Sequence, residues 1–143
     1  MSVSAIFAAA SVAAAAHSPP CPGDSTMEIN NCLAAQLDAA NAVLKRYVAT
    51  ARARISSDTS DAAATRTTLA AFDKAEALWG QYREAECDAV YDNWIGGTIR
   101  NAMSLTCQID LTMRHTHNVW ANWLTFMDST PPVLPEPPKE PPP

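Results

Sequence analysis

A chain of 143 residues with a formal net charge of −5 has room for one domain plus tails. The acidic balance, with no cluster of Lys or Arg, argues against nucleic acid as a partner, because phosphate binding needs a basic footprint. It suits a basic protein partner, since complementary charge raises encounter rates, and it also serves plain solubility.

The first 20 residues carry no Lys, Arg, Asp or Glu. Ile6 to Ala16 is a short apolar run closing on Ala13-Ala14-Ala15-Ala16, the small-residue context of signal-peptidase cleavage. It is too short to span a bilayer, which takes about 20 apolar residues. Residues 1–20 therefore read as a signal peptide and short leader, and the protein as exported, periplasmic or secreted. Ser18-Pro19-Pro20 does not resemble the context of a lipidated cysteine, so no lipid anchor is expected at Cys21.

Ser25-Thr26-Met27-Glu28 has the S-x-x-E form of a capping box and opens a first helix, about Thr26 to Ile55. Leu33, Leu37, Ala40, Leu44, Tyr47 and Ala51 recur at steps of three and four and form one apolar stripe. The polar run Ser56 to Asp61 breaks the helix and caps the next. A second helix is expected from about Asp61 to Asn93, with Leu69, Phe72, Ala75, Trp79, Tyr82 or Arg83, Glu86 or Cys87, and Val90 facing inward. Gly80 inside it costs roughly 1 kcal/mol against Ala and implies close packing there. Gly96-Gly97 turns the chain. A third helix is expected from about Ile99 to Met127, with Met103, Thr106 or Cys107, Asp110 or Leu111, Arg114, Asn118 and Leu124 along one side. No segment alternates with period two over a strand's length.

The last 13 residues, Pro131 to Pro143, include eight prolines and are expected to form an extended polyproline spacer or disordered tail. The folded unit is then 21–128, with residues 129–143 as tail. About 110 residues make only a modest core, so covalent staples would help. Cys21, Cys32, Cys87 and Cys107 are an even set in a small exported chain and point to two disulfides. Their gaps of 10, 54 and 19 residues lack the close C-x-x-C pairs of zinc sites. In an antiparallel three-helix bundle all four fall near one end. That proximity does not determine which pairs with which; the reading leans to Cys32–Cys87 with Cys21–Cys107. The fold class is thus all-α: a disulfide-bonded antiparallel three-helix bundle between a leader and a Pro-rich tail.

Cys21, Thr26, Glu28 and Cys32 form an opening C…T-x-E-x-x-x-C. Leu69, Trp79, Tyr82-Arg83 and Cys87 form L…W-x-x-Y-R-x-x-x-C, and Gly96-Gly97-Thr98 with Cys107, Leu111 and Thr112 form G-G-T…C-x-x-x-L-T. Together these resemble the LprI-type lysozyme-inhibitor family of small exported bacterial helical domains. The likeness runs from Cys21 to about Leu124. It departs where the family has Gln and this chain has Glu76. The Arg expected after Leu-Thr is displaced to Arg114 or replaced by His115. Ala40, Val43 and Leu44 also differ from the family pattern before Tyr47.

Trp79, Tyr82 and Arg83 lie on the inward stripe and read as structural, with Glu28 a candidate partner for Arg83, whose burial without a carboxylate would be costly. The turn Asp92, Asn93, Trp94, Ile95, Gly96, Gly97 is the best candidate for partner binding: Trp is frequent at binding hot spots, and loops on rigid scaffolds often carry function. The competing role for Trp94 is to fold back over the disulfide end. His115 and His117 are two apart and point about 200° from each other on a helix, which does not suit a shared metal. Asp73 and Glu76 read as an ordinary polar face. No catalytic constellation, metal site or cofactor is expected. The resemblance implies an exported binding protein that blocks a basic lysozyme sterically. The alternative is a cell-envelope accessory module with a different protein partner.

Overall fold

The computed structural model describes residues 21–139. The leader expected over residues 1–20 lies outside them. Among the described residues the regular structure is helical: α1 Thr26–Ser56, α2 Ala62–Asn93 and α3 Arg100–Val119, the last continued by one π-helical turn, Trp120–Leu124. No helix among them is long and apolar enough to cross a membrane.

α1 starts where the capping box predicts. The Ser25 hydroxyl accepts the Glu28 amide at 3.2 Å, and Glu28 Oε2 accepts the amides of Asp24 and Ser25, both at 3.0 Å. Such a cap stabilises a helix by about 1 kcal/mol. α2 starts at Asp61, whose carboxylate accepts the amides of Ala63 and Ala64. Along α1 the inward stripe is Leu33, Gln36, Ala40, Leu44, Tyr47, Ala51 and Ile55, so the spacing read from sequence selects the buried face but omits Gln36 and Ile55, and its Leu37 is only half-buried.

α3 packs on both other helices, while α1 and α2 touch each other least. The core falls into two apolar clusters. At the end where α1 begins, Cys21, Leu33 and Ile109 are buried among Ile29, Leu37 and Leu105. At the other end, Tyr47, Ala51, Ile55, Phe72, Val119 and Leu124 are buried with Trp120 and Trp123 against them. There Phe72 meets Trp123 edge-on, with centroids 5.1 Å apart.

The inward face of α3 differs from the sequence expectation. Ser104, Ile109, Thr112, Thr116 and Val119 are buried, whereas Asp110, Arg114 and Asn118 are exposed. A helix lodged between two others needs small residues on a wide face. Ser and Thr serve there when their hydroxyls find partners, as Thr116 does by donating to the Thr112 carbonyl at 2.8 Å. On α2, Ala75 and Glu86 face solvent, and Cys87 is taken inward. Gly80 has no heavy atom within 4 Å of where a Cβ would stand, so close packing is not the reason for glycine at that position.

All four cysteines are bonded, in the pairs Cys21–Cys32 and Cys87–Cys107. This corrects the crossed pairing favoured from sequence. Cys32–Cys87 would require α1 beside α2, and α3 takes that place. Cys87 and Cys107 instead stand at similar heights on the two helices joined by the Gly96-Gly97 turn. Cys21 reaches Cys32 because the leading segment folds back over the first turns of α1. Gly23 allows that approach: a Cβ there would stand 3.1 Å from side-chain carbons of both Glu28 and Ile29.

α3 ends earlier than expected. After the π turn, Thr125 leaves the helix in an extended conformation, and the Leu124 carbonyl accepts the Val133 amide at 2.8 Å. The tail then differs from the free spacer expected of so many prolines. Leu134 packs on the far-end cluster, Pro137 is buried, and the Tyr47 hydroxyl and Trp120 indole donate to the Pro135 and Leu134 carbonyls. Proline lacks an amide hydrogen but keeps a carbonyl, and at Pro135 the Tyr47 hydroxyl uses it.

Candidate functional site

Between the two apolar clusters lies a polar layer to which each helix contributes. α1 supplies Asn41, α2 supplies Glu76, Trp79 and Arg83, and α3 supplies Thr112 and His115. The Arg83 guanidinium donates to Asn41 Oδ1 and to Thr112 Oγ1, both at 2.8 Å. It also lies 5.0 Å from the Trp79 ring centroid. Trp79 stacks on His115 with centroids 4.0 Å apart and planes 7° from parallel. His115 Nε2 is 3.0 Å from both carboxylate oxygens of Glu76 and donates to them. Partial burial pushes the Arg83 guanidinium down from its ordinary value, with Glu84 acting in the opposite direction.

This layer places the residues singled out from sequence. Trp79 and Arg83, read from sequence as inward-facing, are half-buried within it. The expected carboxylate partner for Arg83 is corrected: Glu28 is spent on the α1 cap, and Arg83 is satisfied by neutral oxygens. Tyr82 does not join the layer and is 52% exposed. The Glu76 and His115 departures from the family pattern turn out to be partners of each other. Asp73, read with Glu76 as an ordinary polar face, forms a two-pronged surface pair with Arg52 at 2.9 and 3.0 Å.

The Asp92–Ile99 turn is the most exposed apolar feature at the cysteine end. Every residue from Asp92 to Ile99 is exposed, with Ile95 at 76%, Ile99 at 44% and Trp94 at 38%. Trp94 caps α2 with its backbone, and its amide donates to the Asp92 and Tyr91 carbonyls. Gly96 takes φ +85°, a conformation costly for any residue with a Cβ, and Gly97 donates to the Trp94 carbonyl at 2.9 Å. The Cys87–Cys107 bridge closes the stems on either side, and the Arg100 guanidinium covers the Tyr91 ring at 4.6 Å. The result is a clamped turn with its apolar side chains outward. Exposed Glu84, Glu86, Asp88 and Asp92 lie on the adjoining part of α2. Asp92 is in the last helical turn, where the helix dipole disfavours an acid.

At the opposite end, a depression of about 400 Å³ is lined by Arg54, Ile55, Asp58, Asp61, Thr65 and Trp123, among others. Its polar groups are engaged in turn geometry: Asp58 accepts from the Ser60 amide and hydroxyl, Asp61 caps α2, and Arg54 donates to the Trp123 carbonyl. Among the described residues, no group of three or more His, Cys, Asp or Glu side chains is placed to hold a metal ion.

A family model described as lysozyme inhibitor LprI matches residues 20–118, which span both disulfides, the polar layer and the exposed turn. No curated protein and no solved structure matches the chain.

Proposed function

The chain belongs to the lysozyme inhibitor LprI family, and on that premise we propose that it is an exported inhibitor that presents the Asp92–Ile99 turn to a basic lysozyme and blocks the substrate cleft sterically. One observation carries this reading: an outward-facing Trp94, Ile95 and Ile99 on a disulfide-clamped turn beside four exposed carboxylates. Apolar side chains fixed in advance lose little conformational freedom on binding, which favours affinity. The carboxylates would steer a cationic enzyme towards the turn and make association fall with salt. The two bridges suit an oxidising compartment.

The test is a titration of a basic lysozyme with the oxidised, full-length protein. The expected result is stoichiometric loss of cell-wall hydrolysis, weakened at least about tenfold by Ile95→Asp in the centre of the contact. Undiminished lysozyme activity at micromolar excess of folded protein refutes the proposal.

A further inference from the structure

The Pro-rich tail is held in a manner that describes what holds it. We propose that the groove formed by Tyr47 of α1, His117 of α3 and Trp120 of the π turn is a recognition site for extended Pro-rich peptide, with residues 133–137 as its tethered occupant. The site lies at the opposite end of the bundle from the Asp92–Ile99 turn and is independent of any lysozyme contact.

Three observations carry the assignment. First, the groove donates and the tail accepts. Tyr47 Oη donates to the Pro135 carbonyl at 2.7 Å, and Trp120 Nε1 donates to the Leu134 carbonyl at 2.9 Å. A polyproline II strand has no internal hydrogen bonds, and its prolines offer only carbonyls, so aromatic donors with apolar bodies are the side chains suited to bind it. Second, the two covered positions of the tail stand three residues apart. Leu134 is half-buried and Pro137 buried, whereas Pro135 and Glu136 are exposed. Three residues per turn is the repeat of polyproline II and puts positions i and i+3 on one face. Third, the strand has an anchor at each end of the contact: the Val133 amide donates to the Leu124 carbonyl at 2.8 Å, and Glu136 Oε1 lies 3.8 Å from His117 Nδ1.

The main-chain carbonyls supply the central contacts, so any strand of the same form presents them. The ligand class is an extended peptide with an apolar residue three positions before a proline, as in Leu134-Pro135-Glu136-Pro137. The sequence contains overlapping P-x-x-P spacings at Pro132 to Pro135 and Pro135 to Pro138. A free peptide must displace a tail linked by only residues 125–132, and a short link gives the tail a local concentration on the order of millimolar.

The experiment uses the full chain and a fluorescent synthetic peptide of the sequence of residues 130–139. A full-length Leu134→Asp/Pro137→Ala variant disables the resident tail and leaves the groove intact. This variant is expected to bind the peptide one-to-one, at least about tenfold more tightly than the wild-type chain does. Adding Trp120→Phe, which keeps an aromatic ring but removes the indole donor, should weaken that binding several-fold. In the wild-type chain, millimolar peptide should speed hydrogen exchange at the Val133 amide, and a peptide with every Pro replaced by Ala should not. This second measurement decides the matter if the tail variant fails to fold. No peptide binding to a helical tail variant overturns the proposal, as does unchanged Val133 exchange in the wild-type chain.

Discussion

Removing the two disulfides one at a time should not cost the same. In the chain-entropy account, a separation of 20 residues makes Cys87–Cys107 worth about 3.3 kcal/mol, and a separation of 11 makes Cys21–Cys32 worth about 2.8 kcal/mol. Geometry widens that gap. Cys87 is 1% exposed, so Cys87→Ala/Cys107→Ala also loses sulfur packing, worth about 1 kcal/mol. Cys21–Cys32 ties a short leading segment to α1 alone. Without it, that segment can detach while the three helices stay packed, so global unfolding should register only about 1–2 kcal/mol of the ceiling. The expected difference between the double variants is therefore about 2–3 kcal/mol, or about 1 M or more in urea midpoint for a domain of this size. Urea unfolding followed by far-ultraviolet circular dichroism and Trp fluorescence measures it, and thiol titration should find no free thiol in either variant. An equal or larger loss for Cys21→Ala/Cys32→Ala would refute the reasoning. Free thiols in either variant would refute the pairing itself.

Gly80→Ala should stabilise the chain by about 0.5–1 kcal/mol, because the position has helical backbone and open space for a methyl group; a lower thermal midpoint would contradict this. Thr112→Val should cost about 1–2 kcal/mol in chemical denaturation by removing one acceptor of the Arg83 guanidinium at a fully buried position. Acid should destabilise the fold. The Arg52 hydrogen bond holds the Asp73 carboxyl below its ordinary value, and the Ser60 hydroxyl does the same for Asp58. With folded values below unfolded ones, the unfolded chain binds more protons as pH falls. The contribution is complete above the ordinary carboxylate value near about pH 4 and is lost as pH drops through the folded values. A urea midpoint that rises below that pH would have the wrong sign, and Asp73→Asn should flatten the decline.

Helix positions and the α1 face were legible because they rest on local signals: the Ser25–Glu28 cap, the Asp61 cap, and a stripe whose members are nearly all Leu, Ala and Tyr. The α3 face was not, because hydrophobic periodicity cannot rank buried Ser104, Thr112 and Thr116 above exposed Arg114 without knowing that two helices flank them. The cysteine pairing failed for a related reason. Spacing placed all four at one end, but the pairs depend on which helix lies in the middle and on the fold-back that Gly23 permits. The exposed turn was readable from Gly96-Gly97 and its neighbouring Trp94 and Ile95. The Glu76–His115 partnership had left a trace, since both departed from the family pattern. Tail docking had no comparable signal: proline content predicts backbone form and says nothing of aromatic donors more than eighty residues away, as between Tyr47 and Pro135.

The layer of Asn41, Arg83, Thr112 and His115 acts as a key between the helices. Greasy surfaces tolerate a slide of one turn with modest loss, since one Leu substitutes for another. The polar layer does not: moving α3 by a turn in one direction would bring Ile109 to the height of Thr112 and take an acceptor from Arg83, and moving it in either direction would part His115 from Glu76. Vertical alignment of the bundle is thereby fixed, and with it the height at which Trp94 and Ile95 project beyond the helix ends.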